Sequence, residues 1–351
     1  MIVGGGTAGL VLVNRLSEDN TVQVLAALNN KTIRLPLGRA LGGSSAINGQ
    51  VFLATSKVSI DTWGELGNPG WTWDVLAQYC RKSFTLDRPA PDSLVHKHYT
   101  DSRSGPLATG GVVSYALLGL QDCLPSHLLP DGFNFTNEHP LQSAHSEYVT
   151  RLLCNPAEAT ATFCGQASQG NFGALAGALL LQSGLLPGNY FTIAAYILQP
   201  MSRGSVHIRS SDIFEAVKLD PGYLRHPLDL EVLARHMAYV PEIVSKEPLA
   251  SLLNPGGRRN ASAPTDNNLE SMKEYVKKTT LSSWHPTSTC SMLPAQPGSV
   301  VNERLVVYGS QNLRVVDASI FPITTRANPM ATVYAVAERA ADIIKEDFIT
   351  S

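Results

Sequence analysis

Charge is scarce in this sequence. Asp, Glu, Lys and Arg make up only 16% of its 351 residues, and the formal net charge is -2. With no basic surplus, the chain lacks the electrostatic means to hold nucleic acid or an anionic membrane surface. Cysteine is sparse as well. Cys80, Cys123, Cys154, Cys164 and Cys290 are scattered, and no two form a CxxC pair. That spacing argues against a zinc site and against a dense disulfide framework, and leaves a single bridge open. Long apolar runs are missing too. The longest, Gly173 to Leu181, is interrupted by glycines and falls far short of the ~20 residues a bilayer requires. Leu175–Leu186 reads instead as a buried helix and its turn. Internal repeats and low-complexity tracts are absent. Met1 stands just ahead of a glycine loop, so the expectation is a chain with no signal peptide, cytoplasmic by default.

What is present suits a globular chain. Hydrophobic residues make up 44% of the sequence, enough for a substantial core in one large domain or two ordinary ones. Residues 2–18 read as strand, tight turn and helix, with the turn at Gly4-Gly5-Gly6-Thr7-Ala8-Gly9. Glycines in a GxGxxG array permit the turn and let the backbone approach a pyrophosphate. The helix that follows directs its positive end at those phosphates. The bland alternative is a plain tight turn. Thr21–Leu25 reads as a second strand, and residues 26–36 show no clear period. The dinucleotide fingerprint expects an acidic residue there for the ribose hydroxyls. None occurs; Asn29 or Asn30 would have to serve.

A second glycine- and serine-rich segment reads Gly38-Arg39-Ala40-Leu41-Gly42-Gly43-Ser44-Ser45-Ala46-Ile47-Asn48. Further on come the turn-rich Trp63–Asp74, a helix at Val75–Lys82, and a Pro/Ser/Asp/Gly-rich loop over residues 83–111. Strand-like pieces follow at Phe191–Gln199 and Ser205–Arg209, with a polar loop at Asn254–Asn268. A strand candidate sits at Leu313–Val316, and Ala331–Lys345 carries apolar residues at helical steps. Near the end stand Ser283-Trp284-His285-Pro286-Thr287-Ser288-Thr289-Cys290-Ser291-Met292, then Asn312 to Pro322, then Asn328-Pro329-Met330-Ala331-Thr332.

Together these segments resemble the glucose–methanol–choline (GMC) family of FAD-dependent oxidoreductases. The Gly38–Asn48 run, with Phe52 and Asp61, resembles that family's first signature and departs from it at Thr55. The resemblance implies an α/β fold with a discontinuous, here incomplete, Rossmann-type FAD-binding domain from residues 1–58 and 283–351. It also implies an α+β substrate domain from residues 59–282. It implies FAD contacts from Gly4, Gly6, Thr7, Ala8, Gly9, Gly42, Gly43, Ser44 and Asn48, and from Asp317, Ala318, Pro329, Met330 and Ala331. The flavin is expected to be non-covalent, because Ile47 stands where some members carry the attaching histidine. His285 matches the family's catalytic histidine, whose near-neutral pKa suits it to take an alcohol proton. Asn328 matches the second catalytic position, which steadies developing negative charge. The bland alternatives are a structural histidine, a helix cap for Asn328 and a solvated turn for Asp317. The tryptophans and Gly-Pro-Gly turns near 63–73, like Leu198–His207, read as structural.

The expected activity is oxidation of an alcohol to a carbonyl compound, of a kind met in fungal specialised metabolism, with a small-molecule alcohol as partner. A non-redox GMC-fold cyclase and a catalytically silent, truncated homologue are the alternatives; a nicotinamide dehydrogenase would explain only the first glycine loop. The chain is shorter than typical members. Counterparts are missing between Leu25 and Thr32 and near Gly105–Gly111, including the SAG…SPxLLxxSGIG run. Missing strands would leave a sheet edge open to oligomer formation.

Overall fold

The computed structural model describes residues 22–25, 32–35, 38, 43–49, 51–85, 90, 92–104, 112–123, 140–170, 187–212, 215, 217–254, 263–266, 268–295 and 298–350. The strand–turn–helix expected over residues 2–18, Gly42, and the helix expected at Leu175–Leu186 lie outside the described residues.

β1 (Val22–Leu25) pairs antiparallel with β2 (Thr32–Leu35), Val22 opposite Leu35. β1 falls where a strand was expected, and β2 falls in the stretch that showed no period. Four residues are too few for a period to register. Among the described residues every paired sheet is antiparallel.

Two helices follow. α1 (Lys57–Glu65) starts at Ser56, whose hydroxyl accepts from the amide of Ser59. α2 (Trp73–Lys82) has Asp74 in its first turn and Arg81 and Lys82 in its last, as the helix dipole favours. Asp61 on α1 accepts from the Trp73 amide at 2.8 Å, which locks the two helices together. Between them the chain turns at Gly67 and Gly70, whose φ values of +92° and +81° suit glycine. α3 (Leu94–Ser102) corrects the expected 83–111 loop. The Ser93 hydroxyl caps it at the amide of His96. It is short and mostly exposed, so it carries no apolar stripe to betray it.

A three-stranded sheet comes next, in the order β3 (Val112–Leu118), β4 (Ala161–Gln166), β5 (Thr192–Ile197). α4 (Pro140–Leu153) precedes β4 and buries Tyr148, Val149, Leu152 and Leu153. The hairpin β6 (Ser205–His207) and β7 (Lys218–Asp220) leads to α5 (Pro227–Val244), capped by His226. α6 (Leu269–Thr279) is capped by Asn268 and packs on α5 through Leu233, Ala234, Met272 and Val276. α7 (Met330–Thr350) ends the chain's regular structure. The strand expected at Leu313–Val316 is a correction: only a single bridge, Val306 to Arg314, forms there. The turn preceding it, with Leu305 at φ +67° and Gly309 at +77°, breaks the ladder.

The largest core joins distant parts of the chain. Ile60, Trp63, Trp71 and Leu76 pack with Ile320, Phe321, Ala335, Val336, Ala340 and Ile343. α7 is thereby seated on α1 and α2, with Arg339 stacked over the Trp71 ring at 4.9 Å. A second core holds α4 and α5 against Met201 and Ile323. α5 also backs the sheet: Phe163 of β4 meets His236 edge-on, ring centroids 5.8 Å apart. Successive strand residues face opposite sides. Tyr115, Cys164 and Ala194, in register across the three strands, therefore face away from α5. Among the described residues no helix is long and apolar enough to cross a membrane.

Candidate active site

The segment that carries His285 is laid along the backbone that follows Asp317. The amides of Ser288, Cys290 and Met292 donate to the carbonyls of Ala318, Ser319 and Ile320 at 3.2, 2.8 and 2.8 Å. Just before His285, Trp284 takes a left-handed backbone, φ 57°. An aromatic residue adopts that conformation at a cost of about 1–3 kcal/mol, and keeps it only where its surroundings enforce it. Here the Trp284 amide donates to the Ser282 hydroxyl at 2.9 Å, and Ser282 accepts in turn from the Tyr223 phenol at 2.6 Å. This small network sets the turn that presents the imidazole.

Asn328 sits just ahead of α7, at the end of a heavily anchored loop. Trp63 donates to the Ile323 carbonyl, Gln199 to that of Thr324, and the Arg326 amide to the Thr55 hydroxyl. The Arg326 guanidinium is also ion-paired with Glu158, both side chains nearly buried. Neither Glu158 nor Arg326 stands in a patterned segment of the sequence.

These two supports bring His285 and Asn328 together. Asn328 Nδ2 lies 3.3 Å from His285 Nε2. The other end of the amide, Oδ1, accepts from the phenol of Tyr115 at 2.8 Å. Burial pushes the His285 pKa down to about 4, so the ring is neutral at neutral pH. A neutral imidazole with a free nitrogen lone pair is a base. An amide N–H beside it can donate to an oxygen on which charge develops. Tyr115 carried no signal in the sequence; it lies on an edge strand far from every motif.

The remaining expected residues fall around α7. Asn48 donates from Nδ2 to the Met330 sulfur at 3.2 Å, joining the second glycine segment to the start of α7. Gly43 opens a short 3-10 turn, Gly43–Ala46, with φ +53°. A Cβ on Gly38 would fall 2.0 Å from the Gly43 carbonyl oxygen, so the loop closes only with glycine at 38. Ser44 accepts through its hydroxyl from the Gly38 amide. Pro329, Met330 and Ala331 form the entry to α7. Asp317 is exposed and caps the 318–320 turn, its carboxylate accepting from the Ser319 amide and hydroxyl. Gly4, Gly6, Thr7, Ala8 and Gly9 lie outside the described residues.

Comparison with known proteins decides the family. Residues 1–110 match the GMC oxidoreductase N-terminal family model, and residues 200–337 match its C-terminal counterpart. The chain belongs to the GMC oxidoreductase family. This GMC protein is 33% identical over 269 residues to dehydrogenase mpl7 of Monascus purpureus, an alignment covering 73% of this chain and 42% of the relative. The chain thus spans under half the length of that curated relative. Among solved structures, it resembles an FAD-dependent oxidoreductase from Chaetomium thermophilum at TM-score 0.74 and 17% identity, covering 99% of each chain. A fungal aryl-alcohol oxidase gives TM-score 0.74 at 16% identity, covering 99% of this chain and 98% of that one. At these identities the likeness speaks to the fold.

FAD is the cofactor the family implies. The described residues fit it. Asn48, just past the C-terminal end of the 43–46 turn, meets Met330 at the start of α7, and the first turn of α7 carries no acidic residue. The positive N-terminal end of that long helix suits an anionic diphosphate or a reduced flavin.

Proposed function

We propose that this GMC oxidoreductase oxidises an alcohol to a carbonyl compound with FAD as cofactor, in fungal specialised metabolism. The observation that carries the proposal is the 3.3 Å approach of Asn328 Nδ2 to the neutral His285 Nε2. His285 takes the substrate hydroxyl proton on Nε2. Asn328 donates to the same oxygen as charge builds there. Bound FAD supplies the hydride acceptor. Gly43, Ser44, Asn48, Asp317, Ala318, Pro329, Met330 and Ala331 hold the cofactor together with the first glycine loop, and the flavin is held non-covalently. In this layout residues 1–58 and 283–351 serve the cofactor and residues 59–282 the substrate.

The test is an absorbance spectrum of the purified 351-residue chain, followed by anaerobic titration with alcohols. Flavin bands near one per chain that bleach with an alcohol support the proposal. A colourless protein that takes up no added FAD overturns it. Product formed from a reactive precursor with no flavin reduction would favour a non-redox cyclase instead.

A further inference from the structure

Tyr115 belongs to none of the segments that carry the family resemblance, yet its hydroxyl reaches the site. It stands on β3, an edge strand of the sheet, 213 positions before Asn328. Its cross-strand neighbours are Cys164 and then Ala194. The Tyr115 hydroxyl also comes within hydrogen-bond reach of the buried Cys164 thiol on the way to Asn328.

We infer that Tyr115 is a positioning residue that sets the orientation of the Asn328 amide, and through it keeps the ring proton of His285 off Nε2. The inference rests on His285 acting as the base. An asparagine amide has an acceptor end and a donor end of nearly equal shape, and it can turn over in place. The phenol donates its hydrogen to Oδ1 at 2.8 Å. That leaves Nδ2 as the end facing His285. An N–H aimed at Nε2 is satisfied only if Nε2 carries a lone pair, so the ring proton resides on Nδ1. Turned over, the amide would present Oδ1 to the ring and draw a proton onto Nε2. The base would then be blocked before substrate arrived.

Among the described residues, the facing strands give no electrostatic reason for this tautomer. The titratable groups on the facing strands are Tyr115, Cys164 and Tyr196, and burial raises the pKa of each, so all are neutral at neutral pH. Burial is also the cause of the lowered proton affinity of His285. Charge therefore does not choose which ring nitrogen holds the proton. The hydrogen-bond partner does.

The experiment is nitrogen-15 NMR of the full chain labelled at histidine, with the His285 signals identified by their loss in His285→Gln. The wild type is expected to show the Nδ1–H tautomer. Tyr115→Phe keeps the ring and removes the hydroxyl. It is expected to shift His285 to the Nε2–H tautomer and to move its titration upward by about one pH unit. Asn328→Asp, which has no N–H to offer, should do the same and more strongly; should Tyr115→Phe fail to fold, Tyr115→Leu, which also lacks the hydroxyl, takes its place. Tyr196→Phe should leave the His285 signals as they are. An unchanged tautomer in Tyr115→Phe overturns the inference, as does an Nε2–H signal in the wild type or an equal shift in Tyr196→Phe. Flavin reduction in His285→Ala tests the parent proposal separately. If that variant loses turnover while Tyr115→Phe leaves the tautomer unmoved, only the role of Tyr115 falls. A tautomer shift in a chain that oxidises no alcohol removes only the proposed reaction.

Discussion

The indole nitrogen of Trp63 donates to the backbone carbonyl of Ile323 at 3.1 Å, across 260 positions of sequence. Trp63 is fully buried and lies against Phe321, ring centroids 4.9 Å apart. This side chain is one of the anchors of the loop that ends in Asn328. Trp63→Phe keeps most of the apolar contact and orphans the carbonyl, at an expected cost of about 1–3 kcal/mol. Trp63→Ala also opens a cavity and should cost about 3–5 kcal/mol. Urea unfolding of the two variants measures both. Equal midpoints for Trp63→Phe and wild type would show that the hydrogen bond contributes nothing.

The ion pair between Arg326 and Glu158 has side-chain exposures of only 9% and 11%. Glu158→Leu would leave a buried guanidinium uncompensated, and the expected loss is about 3–5 kcal/mol. The double variant Arg326→Met, Glu158→Leu should be less damaged than Glu158→Leu alone, because two apolar side chains need no partner. A double variant that is worse than the single one would count against this account.

Acid should unfold the protein through its buried histidines. Burial lowers His145 to about 3, with Coulombic effects of Arg203 and His226 adding to it, and lowers His236 to about 4. His236 is held neutral between the Cys123 thiol at Nδ1 and the Thr160 hydroxyl at Nε2. In the unfolded chain each ring binds a proton near pH 6.5. Between those values the unfolded state holds more protons than the folded state, so stability rises with pH. The contribution is complete above about pH 6.5 and is lost progressively toward pH 4, on the order of a few kcal/mol per ring. Thermal melts from pH 7 to pH 4 should show the decline. His236→Gln should flatten it; an unchanged slope would contradict the assignment.

For catalysis, the same lowering at His285 has the opposite use. A base works when it is deprotonated, so flavin reduction should be flat through neutral pH and fall only as pH drops toward about 4. His285→Ala should slow reduction by about 10²–10⁴-fold. Stopped-flow reduction across that range is the measurement, and a rate that falls already at pH 6–7 would mean another group limits it.

Closing the second glycine loop depends on Gly38, where any Cβ would strike the Gly43 carbonyl. Gly38→Ala should weaken FAD binding at least tenfold. Fluorescence titration with FAD reads this directly, and retention equal to wild type would place the cofactor elsewhere.

Local patterns were enough for much of this protein. The glycine segments, the turn-rich tryptophan stretch and the sequences around His285 and Asn328 each state their chemistry within about a dozen residues. α2, β5 and α7 were legible for the same reason, since their apolar spacing repeats within the element itself. α3, exposed and polar, had no stripe to read, and the 313–316 stretch had strand composition without a partner long enough to build a ladder. By itself the sequence determined the family, the cofactor and the identity of two candidate catalytic side chains. Only the tertiary structure decided that they meet, which end of the Asn328 amide faces the histidine, and that Trp63, Glu158 and Tyr115 support them. Those relations are hydrogen bonds and packing contacts between residues tens to hundreds of positions apart. They exist only after the chain has closed those loops, and no local periodicity encodes which partners closure will bring together.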